Sequence, residues 1–170
     1  MATQNKVIMA WSECSIDIAL ATDNLAFPSV LTSIGVINNN STSLETSEGD
    51  TLEARQSGGG IVAKETTEGG FSLTTRVIEP SFEFLKTLGI AEDGATGELD
   101  VTTHMVPNQY AMKLTPKNTG AIGIKAPLCN ISYKPGFSDQ EGNYADITFD
   151  ILQHQDASGK KKWYTRYKKA

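Results

Sequence analysis

The sequence has no run of 18 apolar residues, no C-x-x-C pair and no G-x-S-x-G elbow, and it holds only two cysteines and two histidines in 170 residues. Each absence removes a class of protein. Without a long apolar run there is no membrane-spanning helix to expect. The opening M-A-T-Q-N-K-V-I-M-A-W-S-E-C-S has no long apolar core, so no secretory leader is expected either. Cys14 and Cys129 lie far apart in the chain, and two reduced thiols are the simpler reading. Their pairing stays open at this stage.

Catalytic chemistry finds little to work with. His104 and His154 have no His, Cys or carboxylate at ligand spacing, and both are expected to face solvent or an interface. Gly136–Gly142 (G-F-S-D-Q-E-G) has two acids but lacks the D-x-[DN]-x-[DN]-G calcium pattern, so it reads as a surface turn. Asp146 and Asp150 share one strand face, but four residues of strand separate them by roughly 13 Å. That is too far for a glycosidase pair. Gly58-Gly59-Gly60 lacks the spacing of a phosphate loop and reads as a turn. The chain is therefore expected not to be an enzyme, with no cofactor and no metal.

Charge is unevenly placed. Six of the fifteen basic residues fall between Lys160 and Lys169, and all twenty acidic residues precede them. An acidic body repels phosphates, which argues against nucleic acid as the partner of the basic tail. The aromatic–basic run K-K-K-W-Y-T-R-Y-K-K could stack bases. Lysines on an edge strand, guarding it against stray pairing, are the simpler reading.

What the sequence does have is alternation. Ile16, Ile18 and Leu20 alternate with polar residues, as do Leu99 to Met105, Tyr110 to Leu114, and Ala145, Ile147, Phe149 and Ile151. Val30–Ile37 reads as one apolar strand, Ala121–Lys125 and Leu128–Lys134 as two more, and Thr51–Arg55 and Ile61–Thr66 as short ones. Many short strands with Gly and Pro turns indicate an antiparallel β-sandwich or small barrel. Residues 1–12 form an arm and 13–170 a single domain.

One helix interrupts this pattern. After the strand Phe71–Val77 the period changes at Glu79-Pro80. A helix over about Pro80–Leu88 is expected, with proline in its first turn and Gly89 closing it. A helix that short must lie on a sheet. The other irregular stretch is Asn38–Asp50, polar and without either period, which reads as a long loop.

The order of these features resembles the phage major tail tube proteins and the related tube proteins of type VI secretion. The residues that carry the resemblance are the polar stretch Asn38–Asp50, S-L-T-T-R-V-I-E-P-S-F-E-F-L-K-T-L-G (72–89), M-K-L-T-P-K-N-T-G-A-I-G-I-K-A (112–126), P-G-F-S-D-Q-E-G (135–142) and D-I-T-F-D-I-L (146–152). The resemblance implies a homo-oligomer of stacked, commonly hexameric rings whose sheets merge into one inner barrel. DNA passes through it without specific binding, other tail proteins flank it, and no membrane is involved. It implies a place in the virion tail after assembly in the host cytoplasm. On that reading Asn38, Asn39, Asn40, Ser41, Thr42, Leu44 and Glu45 contact the next ring, with residues 1–12. Asp146, Thr148 and Asp150 face the lumen. Two alternatives remain: another tail or joining protein on the same fold, and a ligand-binding β-sandwich using Trp11, Trp163 or Tyr164 as a platform.

Overall fold

The computed structural model describes Ile8, Trp11 and residues 13–102 and 108–170. The remainder of the expected arm (1–12) and His104 lie outside the described residues. The chain runs β1 (Cys14–Leu20), β2 (Thr32–Ser33), β3 (Gly35–Ile37), β4 (Ser43–Thr46), β5 (Thr51–Arg55), β6 (Ile61–Thr66) and β7 (Phe71–Pro80). Then come α1 (Phe82–Thr87), β8 (Ala91–Asp93), β9 (Leu99–Val101), β10 (Tyr110–Pro116), β11 (Ile122–Ser138) and β12 (Gly142–Ile151). β13 (His154–Gln155), β14 (Lys161–Lys162) and β15 (Thr165–Lys168) complete it. The fold is mainly antiparallel β with one short helix, as the alternation predicts.

The principal sheet has the order β2-β1-β10-β11-β12-β7-β3, with β15 also on β11 and β4 also on β7. Its two ends are consecutive in sequence, so the sheet nearly closes into a barrel at Ile34. The Ile34 N–H donates to the Ile16 carbonyl of β1 at 3.1 Å, and the Ile34 carbonyl accepts from Ser81 N–H at 3.1 Å. One wholly buried residue thus joins both edges. This corrects the expectation of a single strand over Val30–Ile37. Gly35 turns the chain at φ 122°, a backbone that L side chains rarely adopt. A Cβ there would meet the Glu79 carbonyl oxygen at 2.8 Å.

The inward residues of the alternating strands fill the barrel. Ile16, Ile18, Leu73, Val77, Tyr110, Met112, Leu114, Ile147 and Phe149 are all essentially without exposure. The helix plugs one end, with Phe84, Leu85 and Leu88 inward. Its start differs from the sequence expectation. Pro80 ends β7 opposite Gly35, and Glu79 before it sits at φ 55°. Ser81 is the N-cap: its Oγ accepts from Phe84 N–H at 3.1 Å and donates to the Ser33 carbonyl at 2.6 Å. The first helical residue is therefore Phe82, which is half exposed. The end is as expected. Gly89 (φ 73°) donates to Lys86 O at 2.9 Å and Ile90 to Leu85 O at 3.3 Å, the paired closure of a Schellman motif.

The stretch 38–50 is not the long loop that its composition suggests, because its hydroxyls are spent on the barrel. Thr75, the one buried polar residue among the described residues, meets Thr42 Oγ1 at 3.0 Å. Ser41 Oγ accepts from Arg76 N–H at 3.1 Å. Ser43–Thr46 is then strand β4 on β7, with Leu44 packed against the core. The same register continues outward: Thr46 faces Phe71, and five residues on, Thr51 faces Thr66. The pieces β4–β5 and β6–β7 are thus the two legs of one long ribbon, whose turn lies at Gly58-Gly59. The legs pinch at Gly49 and Gly69, where a Cβ would collide with the Thr67 and Ser47 carbonyls of the opposite leg. Beyond that neck every residue of β5 and β6 is exposed.

Ile34→Ala should cost about 2–5 kcal/mol, as expected for a large-to-small change at a wholly buried site. Gly35→Ala should cost about 1–3 kcal/mol through backbone strain. Urea unfolding of both variants measures this, and an unchanged midpoint for either would mean that the seam at Ile34 does not hold the barrel together.

Candidate assembly face

Strands β11, β12, β7 and β4 lie side by side, and their outward residues form one broad face. Register sorts that face into bands across the strands. Asn130, Asp150, Ser72 and Glu45 form an acidic band. Ser132, Thr148, Thr74 and Ser43 form a hydroxyl band, in which Ser43 and Thr74 are hydrogen-bonded at 2.9 Å. Lys134, Asp146 and Arg76 form a charged band, and Tyr144, Ile78 and Val36 an apolar one. Period-two alternation fixes all of this, since each strand gives its other face to the core.

Arg76 organises the charged band. Its Nε and Nη2 grip Asp146 at 2.7 and 3.0 Å, its Nη1 reaches Glu141 at 2.9 Å, and its guanidinium lies 4.6 Å from the Tyr144 ring centroid. The hydrogen bonds from Arg76 hold the Asp146 carboxyl below its ordinary range. Asp150 and Glu45 differ: among the described residues no cation lies within ion-pairing distance of either. The hydroxyl and acidic bands therefore present water-binding groups and uncompensated negative charge. Such a surface holds hydration and repels phosphates.

The structure brings Asp146, Thr148 and Asp150 together on this face, as their spacing predicts. It divides the other predicted residues. Glu45 joins the face, while Leu44 turns toward the core. Asn38 donates its N–H to the Arg76 carbonyl at 2.8 Å, and Ser41 and Thr42 anchor to β7. Asn39 and Asn40 remain as an exposed turn, with Asn40 at φ 57°. The projecting element is instead the β5–β6 ribbon, with Leu52, Ile61 and Val62 at 59%, 49% and 61% exposure. Its signal in the sequence is a glycine run between two β-rich segments.

Other candidate sites dissolve on inspection. Trp163 and Tyr164 pack edge-on against Phe71, at 5.5 and 5.2 Å between centroids. The Tyr167 hydroxyl donates to the Leu114 carbonyl at 2.9 Å. The Trp11 indole donates to the Ile122 carbonyl at 2.9 Å. These contacts give each ring a packing or hydrogen-bonding role in the barrel wall. Both cysteines are free thiols, and burial pushes that of Cys129 up to about 12. They lie opposite Pro116 and Tyr110, at the two ends of β10. Among the described residues no three His, Cys, Asp or Glu side chains converge as metal ligands, and no helix is long and apolar enough to cross a membrane.

No family model matches the chain, and no curated protein matches it in sequence. Among solved structures it is similar to the sheath/tube terminator of PVC, an extracellular contractile injection system, in the extended state. The identity is 12% and the TM-score 0.43, over 97% of this chain and 99% of that one. A likeness this loose decides nothing about what the chain does.

Asp146 is a stronger acid folded than unfolded, so its stabilisation is present above about pH 4 and is lost as the pH falls through the folded value. Arg76→Ala should lower the melting temperature at pH 7 by no more than about 5 °C, because the pair is part-exposed. It should also flatten the acid-side loss. Thermal melts of both proteins between pH 7 and pH 2.5 measure this, and parallel pH profiles would remove Arg76 as the cause.

Proposed function

We propose that this chain is a structural subunit of a phage-type tail tube. It assembles with copies of itself into rings, hexameric in the proteins that it resembles, and the rings stack into a conduit for DNA. The observation that carries the reading is the polar four-stranded face, acidic and hydroxyl-rich, whose outer strands keep unpaired edges among the described residues. An isolated protein normally guards such edges. A subunit whose sheet is completed by its neighbours needs them. In this reading the face lines the lumen, where negative charge and bound water keep DNA from sticking. The chain acts without catalysis or cofactor, alongside other tail proteins, in the tail of a particle built in the host cytoplasm.

The contact with the next ring falls to the β5–β6 ribbon rather than to Asn38–Glu45. A two-stranded ribbon alone in water is marginal. With its apolar residues exposed, it gains stability by lying on another subunit. From Thr51 to its tip it reaches roughly 25 Å, far enough to leave its own subunit.

Negative-stain electron microscopy at rising protein concentration, with light scattering, should show rings or tubes with a central hole. Replacing residues 52–65 by Gly-Gly should leave a folded protein that forms rings but no long tubes. Long tubes from that variant would remove the ribbon from stacking, and a monomer at every concentration for the parent protein would count against the tube reading itself.

Thr148→Lys with Asp150→Lys should leave assembly intact but reduce infectivity of particles carrying the variant at least tenfold, because DNA would be retained in a basic lumen. Unchanged infectivity would mean that this face does not line the conduit.

A further inference from the structure

Resting on the ring reading, the register itself specifies the joint. We propose that β4 of one copy pairs antiparallel with Tyr133–Gly136 of β11 in the next, Glu45 facing Lys134 and Ser43 facing Gly136. Four observations lead there. First, among the described residues β4 pairs only with β7, and residues 130–138 of β11 pair only with β12. Among the described residues these are the two uncovered edges of one four-stranded face, with no backbone partner beyond β7 for one and β12 for the other.

Second, strand direction alternates across β11, β12, β7 and β4. A copy related by rotation keeps its strand directions, so its β11 meets β4 antiparallel, the better of the two ladders. Third, the edges are complementary in charge. Residues 42–48 carry Glu45 and Glu48 and no cation, and residues 130–138 carry Lys134 and no acid. Glu45 and Lys134 are both exposed, and neither has an ion pair among the described residues.

Fourth, the offset suits a closed barrel. Carrying the bands straight across the joint would face Glu45 with Asn130, Ser43 with Ser132 and Thr46 with Cys129, which is already the partner of Tyr110. Moving four residues along puts all of β4 on the free stretch. It also staggers each four-stranded unit by about 13 Å over about 19 Å of sheet width, a tilt of roughly 35°, which is what closed barrels adopt. A stagger the other way would lay β4 on residues that β10 already pairs. Pro135 removes one donor from this edge, the usual guard on an exposed strand, so the joint forms through the bonds on either side of it.

The test is disulfide trapping of Glu45→Cys/Lys134→Cys in one chain, oxidised where microscopy of the unoxidised protein shows rings. Directly opposed antiparallel residues lie within disulfide reach. The expected result is a ladder of covalent oligomers, absent from each single variant. Glu45→Lys should raise the concentration needed for assembly about tenfold, and adding Lys134→Glu should restore it. Rings without that ladder overturn the register. A ladder from Glu45→Cys/Asn130→Cys instead would mean unstaggered bands, and one from Glu45→Cys/Arg166→Cys would mean that the basic β15 edge is the partner. Absence of rings from the parent protein at every concentration would remove the ring reading, and the joint with it.

Discussion

The structure depends on the two hydrogen bonds of Ile34. A curled sheet whose edges do not meet leaves a strip of core open to water and two ladders of unpaired backbone. Here the N–H of one buried residue serves β1 and its carbonyl serves Ser81 at the end of β7. That contact also seats the helix, since Ser81 both caps α1 and donates to the Ser33 carbonyl. Closure and capping are thus one arrangement. Gly35 and Glu79 accept unusual backbone angles on its behalf.

Closure decides which surfaces face outward. Once β1, β10, β11, β12 and β7 give one side to the core, their other sides must be polar, and the face across β11, β12, β7 and β4 is. Within it, Arg76 is held by two carboxylates and a ring, while Glu45, Asp150 and Lys134 have no ion pair among the described residues. The order of this face is that of a surface, with like chemistry repeated from strand to strand. This is why the proposed role is one of assembly.

Much of this was legible in the sequence, and the parts that were not share a cause. The strand Ala145–Ile151 and the common face of Asp146, Thr148 and Asp150 follow from alternation alone. Gly89 marks the helix end because only its chemistry suits the closing angle. Three features were hidden. Ser41, Thr42 and Ser43 look like turn formers, yet they bond across to β7, and a four-residue edge strand with one inward residue, Leu44, shows no period. The division of Val30–Ile37 depends on a distant partner at each edge. Pro80 suits a first helical turn equally well as a strand end, and the contact of Ser81 with Ser33 decides between them. Local pattern carries the elements; long-range pairing carries the seam, the cap and the ribbon.

The register that β4 shares with β5 as far as the irregularity at Ala54–Arg55 has a mechanical consequence. A force applied at the ribbon tip along its length acts across many cross-strand bonds at once rather than peeling them in turn. It arrives at Thr42 and Thr75, beside the seam. The glycine neck at Gly49 and Gly69 keeps the two legs in close backbone contact between the outer and inner halves. A load on the ribbon is thereby delivered along β4 and β7 to strands that line the core, and the ribbon acts as a tether rather than as a floppy loop.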